Sequence, residues 1–286
     1  MPPGWAGRIR AGRIWAGRIW AGCRKGFVVT ASGPVVVAHL SDFHLGAHDG
    51  RAVESIAEDV ARARPDLTVV TGDSTMRART DEFRRARALL DQLPAPLLTV
   101  TGNHDLPLTS WRRVLRPYDR YRRWMDADLD PDRKVLGLTA LGLQSMPRWR
   151  WKNGRVSARQ AATVIRVLGS APAGDLRLLA LHHPPLVTGP DRIIGRDRLL
   201  DAIRLARVDL VLAGHTHVPD VRAPAPGGPV FVVAGTSVSR RTRHEVGCSW
   251  SLISVDRGEV VVRERYLEDG CWHTGRIVTV PSAGRS

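Results

Sequence analysis

The stretch that decides the fold is Val35-Val36-Val37-Ala38-His39-Leu40-Ser41-Asp42-Phe43-His44, an apolar, β-branched run that gives way abruptly to a carboxylate and an imidazole. A run of this kind reads as a buried strand. The same order recurs four more times. Leu67 to Thr71 precedes Asp73, Leu97 to Thr101 precedes Asn103 and His104, Leu176 to Leu181 precedes His182, and Val208 to Ala213 precedes His215 and His217. From Asp42 to Asp73 is 31 residues and from Asp73 to Asn103 is 30, the length of one strand, helix, strand unit with its connections. The spacing therefore predicts that the clusters share the carboxyl edge of one sheet, where ligands bind in open α/β folds. Gly72, Gly102 and Gly214 stand immediately before Asp73, Asn103 and His215, where glycine lets the chain leave a strand sharply.

Asp42, His44, Asp73, Asn103, His182, His215 and His217 together supply oxygen and imidazole donors and no thiolate. That set suits Mn, Fe or Zn better than Ca or Mg, which seldom take imidazole. Seven ligands exceed what one catalytic ion with an open position uses, but they fit two divalent ions sharing one carboxylate.

The blocks Asp42-Phe43-His44, Gly72-Asp73, Gly102-Asn103-His104-Asp105, His182-His183-Pro184-Pro185 and Gly214-His215-Thr216-His217, in this order and each after a strand, resemble the calcineurin-like metallophosphoesterases from about Val35 to Arg222. The resemblance implies that Asp42, His44 and His217 hold one metal, that Asn103, His182 and His215 hold the other, and that Asp73 bridges them. It implies His104 as a catalytic histidine that is not a ligand, with Asp105 orienting its second nitrogen, and a nucleophilic hydroxide shared by the two metals. One departure is visible. Relatives often carry a second acidic residue soon after the bridging Asp, whereas this chain reads Asp73-Ser74-Thr75-Met76. The activity expected is hydrolysis of a phosphodiester or phosphomonoester, with a small diester such as a cyclic nucleotide or glycerophosphodiester in first place. A nuclease of the DNA-repair exonuclease branch is the enzymatic alternative. A binding scaffold with a degraded metal site is the non-catalytic one, and it is disfavoured because every ligand position is filled.

After His217, Pro229 to Ala234, Ser249 to Val255, Glu259 to Tyr266 and Arg276 to Val280 read as antiparallel strands building a second sheet against the first. With helices at about 50 to 64, 79 to 93, 157 to 168 and 197 to 207, the whole is a four-layer αββα sandwich of two mixed β-sheets, as the resemblance also implies. At 286 residues one catalytic domain is expected over 34–280, with short tails at 1–33 and 281–286.

Residues 5 to 22 repeat Trp-Ala-Gly-Arg-Ile with period five, Arg10 standing in for the tryptophan of the second copy, and that period matches neither helix nor strand. Their arginines interrupt any signal-peptide core, leaving a basic aromatic tail or a translation start nearer Val28 or Val29. Arg8, Arg10, Arg13, Arg18, Arg24 and Lys25 carry six of the fifteen net positive charges, which leaves +9 elsewhere. A basic body favours anionic substrates and leaves nucleic acid open as a partner. Cys23, Cys248 and Cys271 show no paired or metal-ligand spacing, and no run of about 18 apolar residues appears, so a reduced, cytoplasmic setting without a membrane span is expected.

Trp111 to Asp126 interleaves arginine with aromatics around Pro117. It reads either as a substrate wall or as a kinked helix burying Val114, Leu115, Tyr118 and Tyr121. Arg148-Trp149-Arg150-Trp151-Lys152 is either a rim loop or a loop packed on the following helix. His39 is assigned to the core or to support of the site, His48 either to the site's edge or to a surface loop, His244 to the surface, and His183 to a supporting role rather than to a metal.

Overall fold

The computed structural model describes residues 33–281 apart from 109, 151, 190, 191, 245 and 257; the amino-terminal repeat lies outside these. Two six-stranded sheets dominate. The first has the order β12-β11-β10-β1-β2-β3, from β1 (Val35–Leu40), β2 (Leu67–Val70), β3 (Leu97–Thr99), β10 (Ser249–Asp256), β11 (Glu259–Glu268) and β12 (Cys271–Pro281). The second has the order β4-β5-β6-β7-β9-β8, from β4 (Asp132–Val135), β5 (Leu138–Leu143), β6 (Leu176–Leu181), β7 (Leu210–Ala213), β8 (Asp220–Arg222) and β9 (Val230–Val233).

Three apolar layers hold the sandwich together. Val35 and Val37 pack with Leu67, Val69, Leu98, Leu138, Leu178 and Leu212 between the sheets, while Ala38 and Leu40 join the layer on the opposite face of β1. This is the period-two alternation of a strand buried on both sides. The outer layer of the first sheet takes Ala52, Ile56 and Val60 of α1 (Gly50–Arg62) and Phe83, Ala86 and Leu90 of α2 (Thr80–Leu90). Each set recurs every three or four residues, as one helical face requires. The second sheet is covered likewise by Val164 and Leu168 of α5 (Ala158–Gly169) and Leu199 and Ile203 of α6 (Arg196–Leu205). Burying each such leucine or isoleucine contributes about 1.5–3 kcal/mol, so position in the layers, more than propensity, fixes these helices. Caps set their starts: Asp49 accepts from Arg51 N and Ala52 N, and Ser157 and Gln160 form a capping box.

Two expectations are corrected. The metal-ligating runs do not share one sheet: β1, β2 and β3 lie parallel in the first, β5, β6, β7 and β9 parallel in the second. The crevice is built where the carboxyl edges of both meet. Nor do the last strands form a second sheet. Only β8 and β9 join it, whereas β10 pairs antiparallel with β1 and carries β11 and β12 with it. Alternation tells which face of a strand is buried but not which neighbour it takes, and that choice was not readable.

Between β3 and β4 the Trp111 to Asp126 stretch forms two short helices, α3 (Arg112–Leu115) and α4 (Asp119–Trp124), on either side of Pro117. Tyr121 is buried, but Val114 and Leu115 are 63% and 69% exposed, against the expectation that they face the core. The buried residue of α3 is Arg113, which donates to the carbonyls of Pro107, Arg148 and Arg150 and ties α3 to the 148–150 loop. Trp149 does not pack on α5: it is exposed between the Arg148 and Arg155 guanidinium groups. Trp151 lies outside the described residues. Among the described residues, no helix is long and apolar enough to cross a membrane.

Candidate metal centre

The loops after β1 and β2 are laced together by the backbone, Asp42 N to Gly72 O (3.1 Å) and His44 N to Asp73 O (2.8 Å). Their side chains are thereby thrown toward the same point. Asp42, His44, Asp73, His215 and His217 all adopt positive φ. Such backbone costs non-glycine residues of order 1–3 kcal/mol each and gathers at functional sites.

Two clusters result. In the first, His217 Nε2 lies 3.1 Å from His44 Nε2 and 3.2 Å from Asp42 Oδ1. In the second, Asn103 Oδ1 lies 3.1 Å from both His182 Nε2 and His215 Nδ1, which are 3.2 Å apart. Asp73 stands between them: its Oδ2 is 3.8 Å from His44 Nε2 and 3.4 Å from His182 Nε2, while its Oδ1 accepts from His104 N at 2.8 Å. All seven predicted ligands are therefore brought together.

The donor atoms are aimed by their outer bonds. His182 Nδ1–H donates to Thr71 O and His217 Nδ1–H to Arg241 O, each at 2.7 Å, which leaves both Nε2 lone pairs facing inward. Asp42 Oδ2 accepts from Ser41 Oγ and His215 N, whereas Oδ1, fully buried, accepts no hydrogen bond. A buried carboxylate oxygen without a donor, facing two imidazoles, fits a cation.

The charges agree. Burial alone would favour the protonated acids, yet His217 and His182 around Asp42, and His182 and His44 around Asp73, hold both below the usual carboxylate range. Burial pushes His44 and His215 down to about 4, so both present neutral nitrogen. For His182, burial works against the charged form, but the Asp73 carboxylate outweighs it and the value rises to about 9. That proton occupies a place that a metal ion would have to take over.

His104 sits at the mouth, half-buried, edge-on to His44 with ring centroids 4.8 Å apart. Its Nδ1 bonds Met76 O at 2.8 Å, so the expected Asp105–His104 pair does not form. Asp105 is buried beneath and accepts from Gly102 N, Ser74 N, Thr75 N and Thr75 Oγ. Burial, then the charge of Asp73, push its carboxyl up to about 6. It fastens the loops after β2 and β3 to each other. Four donors converging on one carboxylate outcompete a single imidazole. The Ser74-Thr75-Met76 segment, lacking the second acid of relatives, supports the site through its backbone.

His183 is buried beside the second cluster, but Nδ1 is 2.8 Å from Ser145 Oγ and Nε2 is 2.7 Å from Lys152 O, so both nitrogens are used in holding the 145–152 loop. His39 is fully buried with Nε2 3.0 Å from Thr71 Oγ1. His48 accepts from Gly46 N through Nδ1, and His244 is exposed. Cys248 and Cys271 are free thiols, and Cys248 bonds Ser239 O. Sequence reasoning missed Arg241, whose Nη1 lies 3.1 Å from His104 Nε2. An arginine 24 residues beyond the last ligand, amid Arg240 and Arg243, carries no local signal.

A family model described as calcineurin-like phosphoesterase matches residues 35–219. A probable cyclic nucleotide phosphodiesterase of Rhodococcus erythropolis is 31% identical over 231 residues, covering 74% of each chain. A cAMP/cGMP dual specificity phosphodiesterase of Mycobacterium tuberculosis is 31% identical over 223 residues, 70% of this chain and 67% of that one. Among solved structures, a purple acid phosphatase from yellow lupin seeds shares the fold, with a TM-score of 0.69 at 13% identity over 88% of this chain and 54% of its own. The chain thus belongs to the calcineurin-like phosphoesterase family and is a phosphoester hydrolase.

Proposed function

We propose that this protein is a dinuclear phosphodiesterase acting on a small diester, with cyclic nucleotides the first class to test. One observation carries the proposal. A single oxygen, Asp73 Oδ2, faces both ligand clusters, at 3.8 Å from one imidazole and 3.4 Å from the other, while its partner oxygen is taken by a backbone N–H. In this reading Asp42, His44 and His217 hold one ion, Asn103, His182 and His215 the other, with Asp73 common to both. The oxygen and imidazole set suits Mn or Fe, with Zn possible. Such a pair supplies Lewis acidity and lowers the pKa of a coordinated water from about 15.7 towards 7.

The chain does the rest. Side chains fixed at the strand ends would hold the cations where the phosphoryl group develops its negative charge, with no reorganisation during the reaction. His104, with its ring locked by Met76 O, offers Nε2 to a phosphoryl or leaving oxygen. Relatives named as cyclic nucleotide and glycerophosphodiester phosphodiesterases support a small diester, and the complete ligand set supports turnover over a scaffold. The test is hydrolysis of bis(p-nitrophenyl) phosphate beside p-nitrophenyl phosphate by stripped protein titrated with Mn, Fe(II) and Zn. Metal-restored turnover favouring the diester is expected. Turnover of the monoester alone, or none with metal demonstrably bound, would refute the proposal.

A further inference from the structure

We propose that Arg241 is a catalytic residue whose guanidinium binds a non-bridging phosphoryl oxygen of the substrate beside His104. The assignment rests on the phosphoester-hydrolase activity but not on which ester is cleaved.

The backbone of Arg241 is fixed before its side chain does anything. Its N–H donates to Ser239 Oγ at 3.0 Å and its carbonyl accepts from His217 Nδ1 at 2.7 Å. Ser239 Oγ in turn donates to Ala47 O, and Arg240 N donates to the same carbonyl, which ties the segment to the loop after β1. Of the three neighbouring arginines, Arg240 and Arg243 point to solvent and only Arg241 is half-buried.

The guanidinium has unusual company for a cation. Its Nη1 is 3.1 Å from His104 Nε2 and 3.6 Å from Met76 Sδ. Among the described residues, no carboxylate lies within ion-pair distance of it. A partly desolvated charge facing a neutral ring and a thioether is poorly compensated. It is well placed for an anion that arrives with the substrate.

The hydrogen bonds define the exchange. Met76 O only accepts, so His104 Nδ1 carries a proton, and a guanidinium only donates, so His104 Nε2 accepts. An incoming phosphoryl oxygen offers Arg241 an anionic acceptor in place of a neutral one, which adds attraction between opposite charges and lets two guanidinium N–H groups engage a phosphoryl group together. Arg241 then turns from the imidazole to the phosphoryl group, and His104 Nε2, relieved of the guanidinium, takes up a proton from solvent and donates it to the leaving oxygen. Arg241 both anchors the anion and holds the histidine in waiting.

The experiment compares the Mn-loaded full chain with Arg241→Gln, Arg241→Lys and, as a surface control, Arg240→Gln. Inorganic phosphate binding is measured by calorimetry, metal content by elemental analysis, and kcat and KM on bis(p-nitrophenyl) phosphate. Arg241→Gln should keep its metal, because the carbonyl that holds His217 is unchanged, and should bind phosphate at least about tenfold more weakly. Arg241→Lys should recover part of that loss, and Arg240→Gln should match the parent. Phosphate affinity within twofold of the parent in Arg241→Gln would overturn the assignment, as would metal loss in proportion to the phosphate effect. Phosphate binding that weakens as expected in a chain that cleaves no diester would sink the phosphodiesterase proposal and leave Arg241 standing.

Discussion

Asp73 divides its two oxygens between fold and chemistry, one held by His104 N–H and the other facing both clusters. In the proposed dinuclear reading, Asp73→Ala should therefore cost both metals at once. Elemental analysis after dialysis should find far less than the parent's complement, whereas His104→Ala should retain it and lose turnover. Equal metal loss in the two variants would contradict these roles. Asp105 makes a different prediction. Oδ1 takes Thr75 N and Oγ, and Oδ2 takes Gly102 N and Ser74 N. In Asp105→Asn the amide NH2 must face at least one backbone N–H donor whichever way it turns. Destabilisation of about 2 kcal/mol or more is expected, read as a lower urea midpoint; an unchanged midpoint would remove Asp105 from the role of fastening the loops. The positions of the nine candidate site residues were legible because each follows an apolar run. The role of Asp105 was not, since adjacency to His104 in the chain says nothing about which way two consecutive side chains point. Arg241 was hidden for the opposite reason: what makes it notable is the absence of a carboxylate partner among the described residues, which only three dimensions reveal.

At the scale of elements, the site depends on how closely its strand-end loops approach. A Cβ on Gly102 would fall 2.1 Å from Asp73 Oδ1, and one on Gly214 would fall 1.9 Å from Ser41 Oγ and 2.6 Å from Asp42 Oδ2. Gly214→Ala must push Asp42 aside, so metal affinity should drop at least tenfold while the far-ultraviolet circular dichroism, set by the sheets, stays near the parent's. Retained affinity would mean that the loops give way cheaply. The glycines before Asn103 and His215 were visible in the sequence as turn signals, and the structure adds that they are there to let two loops touch. Helices were found within two or three residues of their ends, because amphipathic spacing and caps are local. The strand Leu138–Leu143 was missed: Leu-Thr-Ala-Leu-Gly-Leu contains a glycine and ends in no ligand, and its place between β4 and β6 is a tertiary fact.

At the scale of the whole molecule, the metal-free protein carries a buried array of ionisable groups, and its stability must respond to acid. Burial pushes His39 down to about 3, and His44 and His215 to about 4. Each is neutral when folded but takes a proton below about 6.5 when unfolded. The unfolded state then binds more protons, so stability falls as pH drops from about 6.5 towards 4. His182, raised to about 9, acts oppositely: its contribution is full below about 6.5 and fades as pH rises through 9. Urea midpoints of the metal-free chain should be lower at pH 5 than at pH 7, and His39→Gln should shrink that difference; identical midpoints at both pH values would contradict the burial argument. Which strands neighbour one another was not readable, because pairing is chosen by competition among similar apolar runs far apart in the chain. That arrangement sets an order of events during synthesis. Residues 42 to 104 leave the ribosome before His182 to His217, and β10, which covers the open side of β1, follows both. A chain released only as far as His104 holds Asp42, His44, Asp73 and Asn103 but none of the ligands after β6 and β7, so in the proposed reading a bound metal pair would report that both sheets have met.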